Sequence, residues 1–532
     1  MNKNSFLLNA ITLWTIIFFI SLGLYCASSN GYLPLVHGPY YFSIAQSLFY
    51  NGEINFYAIY PPVQTMVYTL QIGISYLEYL IFFISEKYWY QIFYAITSLA
   101  WIIAINEFLK FESKDIQKID KYILSFIFFL QPYNLNQLAN FSNEAFYIPI
   151  LIYFYFSFYR YTTSEKKNYF YIILFSLFII LGVFFRLHHV VLCINFFIFS
   201  LYLKNKKIIF GLIFIGLINI ILFAITIYFT ELDKVFIDHF NYTNKNVIVG
   251  SNDFLFSNIF FYLEKFFKIL SYPILLSKFT ENQTITYIFG IFFLSLILYS
   301  YFSLQKNNKD FNFFNLSYLI LSIIFVLWLP PFEYSYILPF SFLLLFYCFI
   351  GFKKIFKDYY TKAFIILFII MSTLTTTNYF FLGQKYVEGF EYRKFIKDIK
   401  SNYPKKYDMD KNIYYISDDL FDHIEDFYWQ QKNKRPFCQL IVKIEECAKV
   451  QEVDANWNSI IIIGKSPLNL TDYGVDHSKF KTGEVINDDK LLELIKIVAV
   501  KLKLSEFEAE FKEYYQGNYF FHFEYKRLIE LD

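Results

Sequence analysis

Apolar residues run along the first 382 positions in long stretches separated by short polar breaks. The stretches fall near 6–25, 89–108, 121–139, 145–160, 169–186, 188–203, 208–229, 285–304, 313–331, 336–352 and 363–382. Each comes close to the ~20 residues that a helix needs to cross a bilayer, so the pattern predicts about eleven transmembrane helices. Two further apolar stretches are interrupted. Residues 61–85 open with Pro61-Pro62 and contain Glu78; residues 254–278 carry Glu264, Lys265 and Lys268 at helical spacing. After position 384 the pattern changes. Short β-rich runs at 412–417, 459–464 and 519–525 alternate with helical patterns at 418–431 and 488–515, and such alternation predicts a small α/β domain. The domain expectation is therefore a transmembrane module over 1–383 and a soluble domain over 384–532.

Composition narrows the class. The chain of 532 residues is 56% hydrophobic and 17% charged, with a mean hydropathy of +0.37. These values exclude a disordered chain or a disulfide scaffold. The 70 Phe and 49 Tyr largely stand where Leu and Ala would fill apolar runs, and carry no functional weight alone. Formal net charge is +2, which gives no nucleic-acid footprint.

Loop charge sets the sidedness. Lysine and arginine collect at 109–120, 160–168, 204–207, 305–309 and 353–362, and short positive loops favour the cytosol. All five share one side only if 61–85 and 254–278 do not cross, which makes both interfacial or re-entrant helices. The N-terminus is then cytosolic. The outer loops 26–88 and 230–284 and the domain 384–532 lie outside, as expected of a protein of the bacterial cytoplasmic (inner) membrane. The first span lacks a clear small-residue cleavage site and reads as an uncleaved anchor. Cys438 and Cys447 share the outer domain, where a disulfide and two separate thiols both fit the sequence.

This topology puts candidate chemistry on one face. All seven His (37, 188, 189, 239, 423, 477 and 522) fall outside or at the outer end of a span, together with Glu53, Glu144, Arg186 and Asp238. Glu144, in Asn140-Phe-Ser-Asn-Glu144-Ala-Phe, begins a span. It suits a functional acid at the membrane edge and equally a carboxylate stabilising a helix N-terminus. Arg186 is one of five Arg and ends a span just before His188-His189. It suits a bidentate phosphate clamp and also an ordinary interfacial anchor. No zinc-protease helix, phosphate-binding Gly loop or nucleophile elbow occurs.

The first outer loop reads His37-Gly-Pro-Tyr40-Tyr41-Phe-Ser-Ile-Ala-Gln-Ser-Leu-Phe-Tyr-Asn-Gly52-Glu53, followed by Ile59-Tyr60-Pro61-Pro62. With the preceding span, it resembles the GT-C superfamily of polytopic glycosyltransferases, which includes protein mannosyltransferases and lipid A aminoarabinose transferases. Asn143-Glu144 resembles that family's second acidic site, and Phe185-Arg186 resembles its Arg-containing region before a later span. Pro331-Phe-Glu-Tyr-Ser-Tyr-Ile-Leu-Pro339 resembles its Arg-Tyr…Pro segment. The resemblance runs in order over 1–385. Two positions depart: His37 stands where the family usually has Asp, and Glu333-Tyr-Ser-Tyr336 lacks the usual Arg.

The resemblance implies an all-α polytopic membrane fold, GT-C-like, carrying the extracytoplasmic α/β domain at its C-terminus. It implies an integral membrane hexosyl- or pentosyltransferase using a polyprenyl-phosphate sugar donor. The acceptor would be a lipid, glycan or protein of the cell envelope. A phosphate leaving group needs a cation rather than the proton donor of a glycoside hydrolase, and the acceptor hydroxyl needs one base. Glu144, His37 and Glu53 are the candidates for that base, an imidazole being able to take a proton near neutrality. Arg186 would hold the phosphate, with His188 and His189 in support and Tyr40, Tyr41 and Tyr60 lining the loop. A divalent metal ion bridging phosphate and acid is compatible with this chemistry. The alternative is a transporter or lipid flippase, which predicts internal repeats and mid-span charges; neither stands out.

Overall fold

The computed structural model describes residues 3–31, 45, 48–49, 58–59, 73–85, 88–111, 116–139, 142–163, 169–186, 188–229, 259–271, 283–305, 308–328, 336–377, 413–417, 437–439, 459–464, 504–514 and 518–527. Two compact units are present. One comprises Met1–Ala27, Thr69–Ile74 and Lys87–Leu382; the other comprises Ser28–Tyr68, Ser75–Glu86 and Gly383–Asp532.

The first unit is helical. Its helices are α1 (Lys3–Gly31), α3 (Trp89–Leu109), α4 (Lys118–Leu130), α5 (Pro132–Ala139), α6 (Asn143–Thr163), α7 (Tyr169–Phe185), α8 (His189–Tyr202), α9 (Lys206–Phe229), α10 (Ile259–Ser271), α11 (Gln283–Gln305), α12 (Lys309–Trp328) and α13 (Leu338–Thr377); α2 (Gly73–Ile84) begins in it. Among the described residues, four helical segments are long and apolar enough to cross a membrane: Trp89–Leu109, Thr284–Leu304, Lys309–Leu327 and Leu338–Phe356. With the other apolar helices they mark an integral membrane protein. The interrupted stretches give α2, with 12 residues, and α10, with 13. At ~1.5 Å per residue neither spans ~30 Å of hydrocarbon.

Two expected elements differ. The stretch 121–139 divides at Gln131. Pro132 has no N–H to continue the ladder but suits the first turn of a helix, so α5 restarts there. The junction is fixed by Ser341, whose hydroxyl donates to Gln131 Oε1 at 2.7 Å. The stretches 336–352 and 363–382, expected as separate spans around a basic loop, instead form the continuous 40-residue helix α13. Between them, Lys353, Lys354, Lys357 and Lys362 are good helix formers, and no Gly or Pro breaks the run.

Aromatic side chains fill the helical core. Phe158 and Phe196 stack at 3.8 Å, and Phe154 and Phe178 at the same distance. Tyr155 packs on Phe314 at 4.5 Å while its hydroxyl donates to Asn315 Oδ1 at 2.6 Å. Lipid provides no hydrophobic drive between helices, so contact area and such buried hydrogen bonds hold them together. Elsewhere in this unit, Arg160 lies 2.7 Å from Glu107 and Lys353 lies 2.9 Å from Asp120. These pairs tie α3 to α6 and α4 to α13.

The second unit contains a six-stranded mixed sheet in the order β1-β3-β2-β4-β6-β5, from β1 (Ala58–Ile59), β2 (Ile413–Ser417), β3 (Phe437–Gln439), β4 (Ser459–Gly464), β5 (Leu504–Tyr514) and β6 (Asn518–Arg527). The first four pair in parallel, and β6 joins β4 and β5 antiparallel. Three strands fall where the β-rich runs predicted them. The fourth long strand, β5, replaces the expected helix over 504–514; residues 488–503 of that helix lie outside the described residues. Its sequence alternates Phe507, Ala509 and Phe511 with Glu506, Glu508, Glu510 and Lys512, and period two selects a strand once β6 is there to pair with it. The expected helix at 418–431 and Cys447 lie outside the described residues.

Candidate active site

Helix α6 starts at Asn143, and Glu144 sits in its first turn. A carboxylate there commonly accepts the free N–H groups of the helix end. This one does not: Glu144 Oε1 faces Arg186 Nη1 at 2.5 Å and Oε2 has no hydrogen-bond partner. Glu144 is 1% exposed and Arg186 6%, so the guanidinium is turned into the protein rather than out to lipid headgroups. Removing one member of such a buried pair typically costs about 3–5 kcal/mol, because the other charge is left without compensation.

Arg186 is held from several directions. It follows the last residue of α7, Phe185, whose carbonyl accepts a hydrogen bond from Asn143 Nδ2. The Asn143-Glu144 and Phe185-Arg186 segments are thus joined twice, once through backbone and once through charge. The Arg186 guanidinium also lies over the ring of Tyr336, 5.4 Å from its centroid, within cation–π range. Tyr336 immediately precedes α13, inside the segment Pro331–Pro339. Three sequence motifs spread over almost two hundred positions therefore meet around one guanidinium.

The histidines flank this centre. His188 is 1% exposed, and neither ring nitrogen has a hydrogen-bond partner. Its ring is enclosed by Tyr318, Phe325 and Phe340 at 5.9, 5.4 and 5.9 Å. His189 Nδ1 and the Tyr147 hydroxyl are hydrogen-bonded at 2.9 Å, the direction depending on the imidazole tautomer. The His189 ring lies against Gly182, where a Cβ would collide with it. Ser142 Oγ, two residues before Glu144, is a further buried polar atom without a partner.

Glu144, Arg186, His188 and His189 are thus placed in one part of the helical unit. His37, Glu53, Tyr40, Tyr41 and Tyr60 lie outside the described residues, as do Glu333 and Tyr334. Sequence reasoning missed Tyr147, Gly182, Asn143 as a tether and the cage around His188. Only Tyr336 carried a signal, by its place in the quoted segment. Glu78, which the sequence shows only as an interruption of 61–85, is a second buried carboxylate without hydrogen-bond partners, in α2. Among the described residues no three His, Cys, Asp or Glu side chains come together as a metal site.

Known proteins give a structural match and no sequence match: neither a family model nor a curated protein aligns with this chain. The architecture has a solved counterpart. It is shared with ArnT from Cupriavidus metallidurans. Against the apo state the TM-score is 0.50 at 10% identity, covering 89% of this chain and 95% of that one. Against ArnT bound to undecaprenyl phosphate it is 0.49 at 10% identity, covering 91% and 97%. At that identity, fold is what the two proteins share.

Proposed function

We propose that this protein transfers a sugar from a polyprenyl-phosphate donor to an acceptor hydroxyl on the outer face of the membrane. The observation that carries the reading is the buried meeting of Glu144 with Arg186 under Tyr336. Each comes from a separate motif of the GT-C resemblance, and the fold shared with ArnT supports the same class over a transporter. Outside the cytosol no nucleotide sugar is available, so activation has to arrive on the lipid. Arg186 holds the donor phosphate and stabilises the charge that grows on it as the glycosidic bond breaks. Glu144 takes the proton of the acceptor hydroxyl, with His37 or Glu53 of the first outer loop as the other candidates for this role. His188 and His189 support the phosphate. The acceptor is a hydroxyl of a lipid, glycan or protein, and the donor sugar a hexose or pentose.

The placement in the membrane follows the same reading: eleven spans, a transmembrane module over 1–383, and 384–532 folded as an α/β domain outside. The test is transfer by the purified protein in lipid, supplied with labelled polyprenyl-phosphate sugars. Loss of a general base lowers turnover by about 10²–10⁴, and loss of a transition-state charge partner by about 10²–10³. Glu144→Gln and Arg186→Ala should both fall to such levels while still inserting. Full activity in Glu144→Gln would remove Glu144 from the reaction and leave His37 or Glu53 as the base.

A further inference from the structure

The pairing of Glu144 with Arg186 raises a difficulty that the transfer reading alone does not resolve. The guanidinium meant for a phosphate is already neutralised by a carboxylate, and the carboxylate meant for a proton is tied to a cation. We infer that the two groups exchange partners: an incoming lipid phosphate displaces Glu144 from Arg186, and only the displaced carboxylate acts as base. This rests on the proposed function and adds a masked resting state to it.

The structure shows which partner gives way. Arg186 is anchored through the Asn143 bond to Phe185 and through the ring of Tyr336. Glu144 meets Arg186 through Oε1, while Oε2 is buried without a partner. Ser142 Oγ and both nitrogens of His188 are buried near this pair in sequence, also without partners. Buried polar groups are seldom left unsatisfied, and a phosphate, with more acceptor oxygens than a carboxylate, can take the guanidinium in a bidentate bond and still accept from a further donor. A carboxylate supplies at most two oxygens and here uses one.

The exchange orders the reaction. With the donor absent, Glu144 Oε1 is occupied by Arg186. With the phosphate on Arg186, Glu144 is released beside a new negative charge and takes the acceptor's hydroxyl proton. The acceptor oxygen forms its bond to the sugar C1, the bond from C1 to the phosphate oxygen breaks, and the electron pair leaves with the phosphate on Arg186. Return of Glu144 to Arg186, after its proton passes to water, helps expel the product.

The test is binding of undecaprenyl phosphate to the full-length protein in nanodiscs. A structural role for Glu144 predicts weaker or equal binding in its variants; exchange predicts the reverse. Glu144→Gln should bind about tenfold tighter than wild type, about 1.4 kcal/mol, while its transfer is lost. Glu144→Asp keeps the charge on a shorter stem, loosens the pair and should fall between the two, which keeps the inference testable if Glu144→Gln does not fold. Unchanged or weaker binding in both, with binding lost in Arg186→Ala, overturns the exchange and leaves the clamp. Wild-type binding in Arg186→Ala overturns the clamp as well.

Discussion

At the scale of single residues, Tyr336 shows how an aromatic ring contributes to a charged site without chemistry of its own. Its face gives the Arg186 guanidinium a flat, apolar support that water would otherwise occupy. Cation–π contacts are worth about 0.5–2 kcal/mol, so losing one changes affinity by roughly 2- to 30-fold. Tyr336→Leu should raise the KM for the proposed lipid donor within that range, and Tyr336→Phe, which keeps the ring, should raise it less. Equal KM values for the two variants would show that the ring does not orient Arg186. Glu144, Arg186, His188 and His189 were legible in sequence as polar residues at the ends of apolar runs. Their relations were not. Nothing in a linear pattern says that Asn143 will reach the Phe185 carbonyl, or that the Glu144 side chain will turn from its helix end toward an arginine forty-two positions away. Those outcomes depend on how α6 and α7 pack, and packing is not written in periodicity.

At the scale of elements, apolar helices were readable from composition, and four described segments are long and apolar enough to cross a membrane. Interruptions were harder: the break at Gln131-Pro132 follows from proline's missing N–H, yet the apolar run continues across it. Strand β5 was misread because its Glu and Lys residues are also good helix formers, and the period-two alternation gained its meaning from β6. Helix contacts are the least visible of all. Gly351 of α13 faces the backbone of α11, where a Cβ would run into the Leu296 carbonyl. Small residues permit this kind of backbone approach between membrane helices. A carbonyl cannot step aside as a side chain can, so Gly351→Ala must push α11 and α13 apart, and overpacking typically costs about 1–3 kcal/mol. Gly216→Ala is the matched control, since a Cβ there meets nothing within 4 Å. Thermal unfolding in detergent should show a clear loss for Gly351→Ala and none for Gly216→Ala. Equal melting of the two would mean that the α11–α13 approach is not under tension.

At the scale of the whole molecule, the sheet constrains the path of the chain through the membrane. Strand β1 lies in the loop 26–88, expected to be an outer one, and pairs in parallel with β3, Ala58 opposite Phe437 and Ile59 opposite Cys438. Strands of one sheet lie on one side of a bilayer, so the chain between positions 59 and 437 crosses an even number of times. The expected spans 89–108, 121–139, 145–160, 169–186, 188–203, 208–229, 285–304 and 313–331 already give an even number. If all eight cross, residues 338–377 cross twice or not at all. They are too apolar for the second choice. As a continuous helix of 40 residues, α13 is about 60 Å long, twice the hydrocarbon thickness, and a single passage would leave the apolar run 363–382 in water. The two separate spans expected from the sequence would instead need a turn within the lysine-rich segment 353–362, which the continuous helix α13 does not have. Single cysteines in a background lacking the five native ones test this with a membrane-impermeant thiol reagent on intact cells. Ser401→Cys should react from outside, and Lys357→Cys, like Lys110→Cys, only after the membrane is opened. Reaction of Ser401→Cys only after opening would place 384–532 in the cytosol, and the β1–β3 pairing would then carry the first loop, with His37 and Glu53, to that side as well.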